Sequence, residues 1–192
     1  MFKVLTKGCE PTRGSKYSAC VDLYASKDAL IGAGETKLIG LGVAIDEELL
    51  PKTIVQEWDK LGLGMYIDYV KDFKKSHYLQ LMLRSSLGKK GLILPNGVGI
   101  IDLDYKDEIK MIIHNPIKMV DAEYFADEEV IEMSQLGSPS PYSKGENITA
   151  SSRYEIRKGD KIAQITLLEH KGYLFGIDTD KEREGGFGST GE

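Results

Sequence analysis

The 192-residue chain carries 25 Lys and Arg against 30 Asp and Glu, a formal net charge of −5, which excludes a nucleic-acid or membrane binder held by bulk positive charge. Two cysteines, Cys9 and Cys20, and three widely separated histidines, His77, His114 and His170, exclude a disulfide framework and a zinc-ligand spacing. Hydrophobic residues at 41% suit one globular domain with an insertion. The start MFKVLTKGCEPTRG lacks a signal-peptide run and no segment could span a bilayer, so the expected location is cytoplasmic.

In chain order, KLIGLGVAID alternates Ile39, Leu41, Val43 and Ile45 with small residues and reads as a strand. PKTIVQEWDKLG spaces Ile54, Trp58 and Leu61 at a helical interval, with Pro51 suited to a first turn, and predicts a short helix. YLQLMLR puts Leu79, Leu81 and Leu83 on one strand face. DEIKMIIHN does the same with Ile109, Met111 and Ile113. From 116 to 152 the rhythm stops. An acidic run, DAEYFADEEVIEM, precedes the Ser/Pro/Gly-rich SPSPYSKGENITASS, which reads as loop or disorder. DKIAQITLLE turns Ala163, Ile165 and Leu167 to one face and leaves Gln164 on the other. Short strands broken by Gly, Pro and Asp predict an all-β sandwich or jelly roll.

Three stretches carry chemistry, and each has two readings. RSSLGKKG (84–91) follows a strand and is either a phosphate cradle or a solvated turn. It is not a Walker loop, because Leu83 stands where the opening glycine should be and Lys90 where Ser or Thr should follow the lysine. NGVGIIDLDYKDEI (96–109) reads as a hairpin, with Asp102 and Asp104 on one side of an extended strand beside Tyr105. It is either the floor of a pocket or an exposed acidic turn. The end, KEREGGFGSTGE, is either a frayed terminus or an arm that folds over a phosphorylated ligand.

Taken in order, SACVDLYAS, RSSLGKKG, NGVGIIDLDY, RKGDKIAQITLLE and REGGFGSTG resemble the five motifs of the trimeric dUTPases, the all-β dUTP pyrophosphatases. The resemblance runs from Ser18 to Gly191. It implies a distorted jelly roll over 1–180, with a short helix and an insertion at about 116–152, and a C-terminal arm over 181–192. It also implies a homotrimer with active sites at subunit interfaces and Mg²⁺ held mainly by the triphosphate. By resemblance, Asp102 activates the attacking water. Asn96 and the backbone near Gly99 read the uracil edge, and Tyr105 packs under the deoxyribose. Arg84, Ser85, Ser86 and Gln164 hold phosphate oxygens, and Asp22 supports the metal's water shell from the second sphere. In the arm, Phe187 covers the base, Gly188, Ser189 and Thr190 hold the distal phosphates, and Arg183 acts as an arginine finger.

The pattern has departures. Cys20 and Asp107 stand where the family usually has glycine, and Arg183 is one residue nearer Phe187 than is common. dCTP deaminase shares the fold and an RSSLG-like stretch, but its chemistry needs a glutamate where this chain has Ile112. The long insertion resembles those of phage-encoded members from Gram-positive hosts, some of which bind repressors. That implies a repressor or other regulatory protein as a partner through 116–152, in a host-cell cytoplasm. The alternative is a local cap burying Tyr124, Phe125, Val130 and Met133 on their own subunit.

Overall fold

The computed structural model describes residues 1–46, 48–50, 73–117 and 153–177. The expected helix body at Ile54, Trp58 and Leu61, nearly all of the 116–152 stretch and the 181–192 arm lie outside the described residues.

Among the described residues ten strands are formed: β1 (Phe2–Val4), β2 (Val21–Tyr24), β3 (Ala29–Ile31), β4 (Thr36–Gly40), β5 (Val43–Ile45), β6 (His77–Leu83), β7 (Gly99–Asp102), β8 (Lys110–His114), β9 (Tyr154–Ile156) and β10 (Lys161–Glu169). A single helical turn, α1 (Ser85–Gly88), follows β6, and a 3₁₀ turn (Gly172–Phe175) follows β10. Every pairing is antiparallel, and the partners are nested: β2 with β10, β3 with β9, β4 with β8. The chain therefore folds like a long hairpin rolled on itself, which is the jelly-roll arrangement. β6 lies between β10 and β7, completing a four-stranded sheet β2-β10-β6-β7.

The predicted inward residues form the core. Ile39, Leu41, Val43, Leu79, Met111 and Ile113 are all buried, so burial of their apolar surface supplies the main favourable term. The stretch 39–45 is nevertheless two strands rather than one. β4 pairs with β8 and β5 with β1, and the chain changes sheets at Leu41–Gly42. Gly42 makes the corner at φ +65°, and a Cβ there would lie 2.7 Å from Cys9 Cβ.

The expected hairpin at 96–109 is also corrected. β7 pairs with β6, whereas β8 pairs with β4, so the segment crosses between sheets. β7 ends at Asp102, and Tyr105 N–H donates back to Asp102 O at 3.1 Å. Asp104 therefore sits in a turn, and strand alternation does not relate it to Asp102. Just before Pro51, Leu49 and Leu50 are helical, and Asp46 precedes them. Its Oδ1 accepts the N–H groups of Glu48 and Leu49, both at 2.9 Å, as an N-cap does.

Candidate active site

Crossing from β7 to β8 leaves a cleft of about 240 Å³. Its lining includes Leu81, Leu94, Asn96, Gly99, Tyr105 and Ile112. It is an apolar slot with an amide at the edge, suited to a planar ring that carries a few polar edge atoms. Gly99 is opposite Leu81 in the β6–β7 register, and a Cβ on it would come within 3.0 Å of Leu81 Cβ. The glycine thus keeps the slot open. Asn96 is exposed beside Gly97, which turns the chain at φ +71°. Tyr105 forms a wall: it is 7% exposed, and its hydroxyl donates to Glu108 O at 3.4 Å. Asp102 is exposed at the end of β7.

A second group gathers where β2, β6 and β10 meet. Asp22 is buried, and its Oδ2 lies 2.9 Å from Arg84 Nη1 and 3.2 Å from Lys161 Nζ. Gln164 is opposite Asp22 on one side and Met82 on the other. Ser85 and Ser86 are exposed at the start of α1, directly after Arg84. Lys90 turns away from this group toward β9. Its Nζ donates to Tyr154 Oη at 3.0 Å and lies 5.1 Å from that ring, and the hydrogen bond raises the lysine pKa above its ordinary value.

The structure brings Asn96, Gly99 and Tyr105 together around the cleft on the β7 side of the sheet, and Asp22, Arg84, Ser85, Ser86 and Gln164 together where β2, β6 and β10 meet; Gly99 is level with Leu81 and Gln164 with Met82, so only Asp102 lies toward the far end of β6. Asp102 is level with Tyr78 on β6, and Arg84 is six positions further along. At strand rise that is about 20 Å. One chain therefore does not place Asp102 beside Arg84. Arg183, Phe187, Gly188, Ser189 and Thr190 lie outside the described residues.

Among the described residues no group of three His, Cys, Asp or Glu side chains could hold a metal ion. The Asp22 carboxylate, expected to support the water shell of a triphosphate-bound Mg²⁺, sets Oδ2 between two cations. The described residues do not fit a resident divalent ion. Lys161 was missed by sequence reading: strict alternation gives it the same parity as Ala163 and Ile165, toward the core, so its charge pointed to no site. No helix among the described residues is long and apolar enough to cross a membrane.

No protein-family model matches the chain. The deoxyuridine 5'-triphosphate nucleotidohydrolase of Zymomonas mobilis subsp. mobilis is 30% identical over 157 residues, 79% of this chain and 81% of the relative. That of Debaryomyces hansenii is 27% identical over 188 residues, 95% of this chain and 80% of the relative. Among solved structures, the dUTPase from phage phi11 of S. aureus, known with a species-specific insert, has a TM-score of 0.54 at 17% identity, covering 98% of this chain and 97% of that one. At that identity the likeness shows the fold, an all-β jelly roll.

Proposed function

The chain belongs to the deoxyuridine 5'-triphosphate nucleotidohydrolase family, and on that premise we propose that it hydrolyses dUTP to dUMP and pyrophosphate. The observation that carries the reading is the cleft, an apolar slot edged by Asn96 and walled by buried Tyr105, with Asp102 on the strand that forms it. Uracil enters the slot and presents its edge to Asn96 and the Gly99 backbone. The Tyr105 ring packs under the deoxyribose and leaves no room for a 2'-hydroxyl. Asp102 accepts a proton from water as the water oxygen bonds to the α-phosphorus. The bond from that phosphorus to the bridging oxygen breaks, and pyrophosphate leaves. Arg84, Ser85, Ser86 and Gln164 hold phosphate oxygens by charge-assisted and neutral hydrogen bonds. Mg²⁺ enters as part of the substrate, on the triphosphate, and neutralises its charge there.

The separation of about 20 Å between Asp102 and Arg84 along β6 supports a homotrimer in which one subunit supplies Asp102 and a neighbour supplies the phosphate-side group. The 181–192 arm completes the site as a lid carrying Arg183 against transition-state charge, with Phe187, Gly188, Ser189 and Thr190 over the ligand. The glycine-rich motif supports this reading. Pyrophosphate release with dUTP, dTTP, dCTP and UTP tests the assignment, and dUTP is expected to be strongly preferred. Asp102→Asn is expected to bind dUTP while turnover falls by about 100-fold or more. Ammonia released from dCTP would instead favour the deaminase reading, against which stands Ile112, a carbon wall of the cleft.

A regulatory role for 116–152 is supported by its composition. Asp121, Glu123, Asp127, Glu128, Glu129 and Glu132 would repel a triphosphate and suit a basic partner surface. Replacing 119–150 with a Gly/Ser linker is expected to spare hydrolysis and abolish that binding.

A further inference from the structure

An interruption in β10 decides where Lys161 points. Gln164 pairs with Asp22 and Ala163 with Leu23, but the next pair is Lys161 with Tyr24. Ile162 is the extra residue of a bulge, and both it and Ala163 are buried. Without the bulge, Lys161 would share the core-facing side of Ala163. With it, Lys161 is opposite Tyr24, which lies on the same face of β2 as Asp22. Its Nζ then lies 3.2 Å from Asp22 Oδ2 and 5.8 Å from the Tyr24 ring.

Arg84 approaches the same oxygen from the end of β6. Its backbone N–H donates to Ile162 O at 3.1 Å, tying it to the bulge itself. Its Nη1 is 2.9 Å from Asp22 Oδ2 but has no hydrogen-bond partner, although it is shielded from solvent. The contact is an ion pair without hydrogen-bond geometry. One carboxylate thus serves two cations, leaving the group a net positive charge. An isolated Arg–Asp pair would be neutral, and its carboxylate would compete with any phosphate for the guanidinium.

We propose that Lys161 is a positioning residue for anion capture by Arg84. By sharing Asp22 Oδ2, it loosens the carboxylate's hold on the guanidinium and keeps the group positive toward a phosphate-bearing ligand. Asp22 orients Arg84, and Lys161 acts through it without touching the ligand. The inference rests on the phosphate-side assignment made above and concerns a residue that assignment does not use.

The test is a double-mutant cycle on the full chain, titrating inorganic triphosphate in EDTA so that no metal contributes. Lys161→Met is expected to weaken binding by about 3–10-fold, and Lys161→Arg to stay within about 2-fold of wild type. In an Asp22→Asn background the effect of Lys161→Met is expected to shrink below about 2-fold, because the shared oxygen's charge is gone. Should Asp22→Asn fail to fold, an Arg84→Met background serves the same purpose, since Lys161 then has no guanidinium to free. An equal loss in either background would mean that Lys161 contacts the anion directly, and would overturn the proposal. So would an unchanged affinity in Lys161→Met, or a wild-type chain that binds no triphosphate in EDTA. A wild-type chain that binds triphosphate but releases no pyrophosphate from dUTP would remove the substrate assignment and leave the cycle intact.

Discussion

Tyr105→Ala separates packing from selectivity. The ring is 7% exposed and belongs to the buried cluster that includes Leu81, Ile109 and Met111. Truncating a buried aromatic side chain to alanine costs about 3–5 kcal/mol. The lower end applies here, because one side of the ring faces an open cleft that water can refill, and the hydroxyl's bond to Glu108 O is long at 3.4 Å. A loss of about 3 kcal/mol lowers the melting temperature of a chain this size by roughly 6–12 °C. The same truncation opens space where a 2'-hydroxyl would sit, so the ratio of kcat/KM for dUTP to that for UTP is expected to fall by about 10-fold. Tyr105→Phe is the control: it keeps the ring and is expected to cost about 1 kcal/mol or less with the ratio unchanged. Urea unfolding at fixed protein concentration and pyrophosphate release with both nucleotides provide the measurements. Lost stability with an unchanged ratio in Tyr105→Ala would refute the gating role. Wild-type stability would refute the packing argument.

Gly42→Ala is expected to destabilise by about 2–4 kcal/mol, summing a left-handed backbone and overlap with Cys9 Cβ and Sγ at 2.7 and 2.8 Å; a urea midpoint near wild type would contradict the corner. Asp46→Ala tests the helix cap. Its carboxyl is held below the ordinary pKa, chiefly by the Leu49 N–H and also by that of Glu48, against an opposing desolvation penalty. That stabilisation is present above the unfolded value of about 3.9 and lost as pH falls through the lower folded value. The variant is therefore expected to melt below wild type at pH 7, with the gap closing under about pH 4. A gap constant from pH 3 to 7 would show that the carboxylate charge contributes nothing.

Local pattern was enough to identify four of the strand-forming stretches, 37–46, 78–84, 107–115 and 160–169, and their inward faces. Leu79, Leu81, Met111 and Ile113 are buried as their alternation predicts, because a period of two sorts side chains between core and solvent wherever a strand forms. Ordered motifs likewise made Asn96, Gly99, Asp102 and Tyr105 candidates for one site, and close sequence neighbours stay close on any fold. Alternation does not say which strand pairs with which. It missed the change of sheet at Gly42, where a positive φ divides one apolar run into two strands. It misread 96–109 as a hairpin, because the partners of β7 and β8 come from β6 and β4, distant in sequence. Lys161 is the clearest case. Counted along β10 its parity belongs to the core, and only a bulge set by pairing with β2 turns it toward Asp22. Residue type and spacing determined which groups could do chemistry. Long-range register decided which of them meet, because a shift of one residue carries a side chain to the opposite face of a sheet.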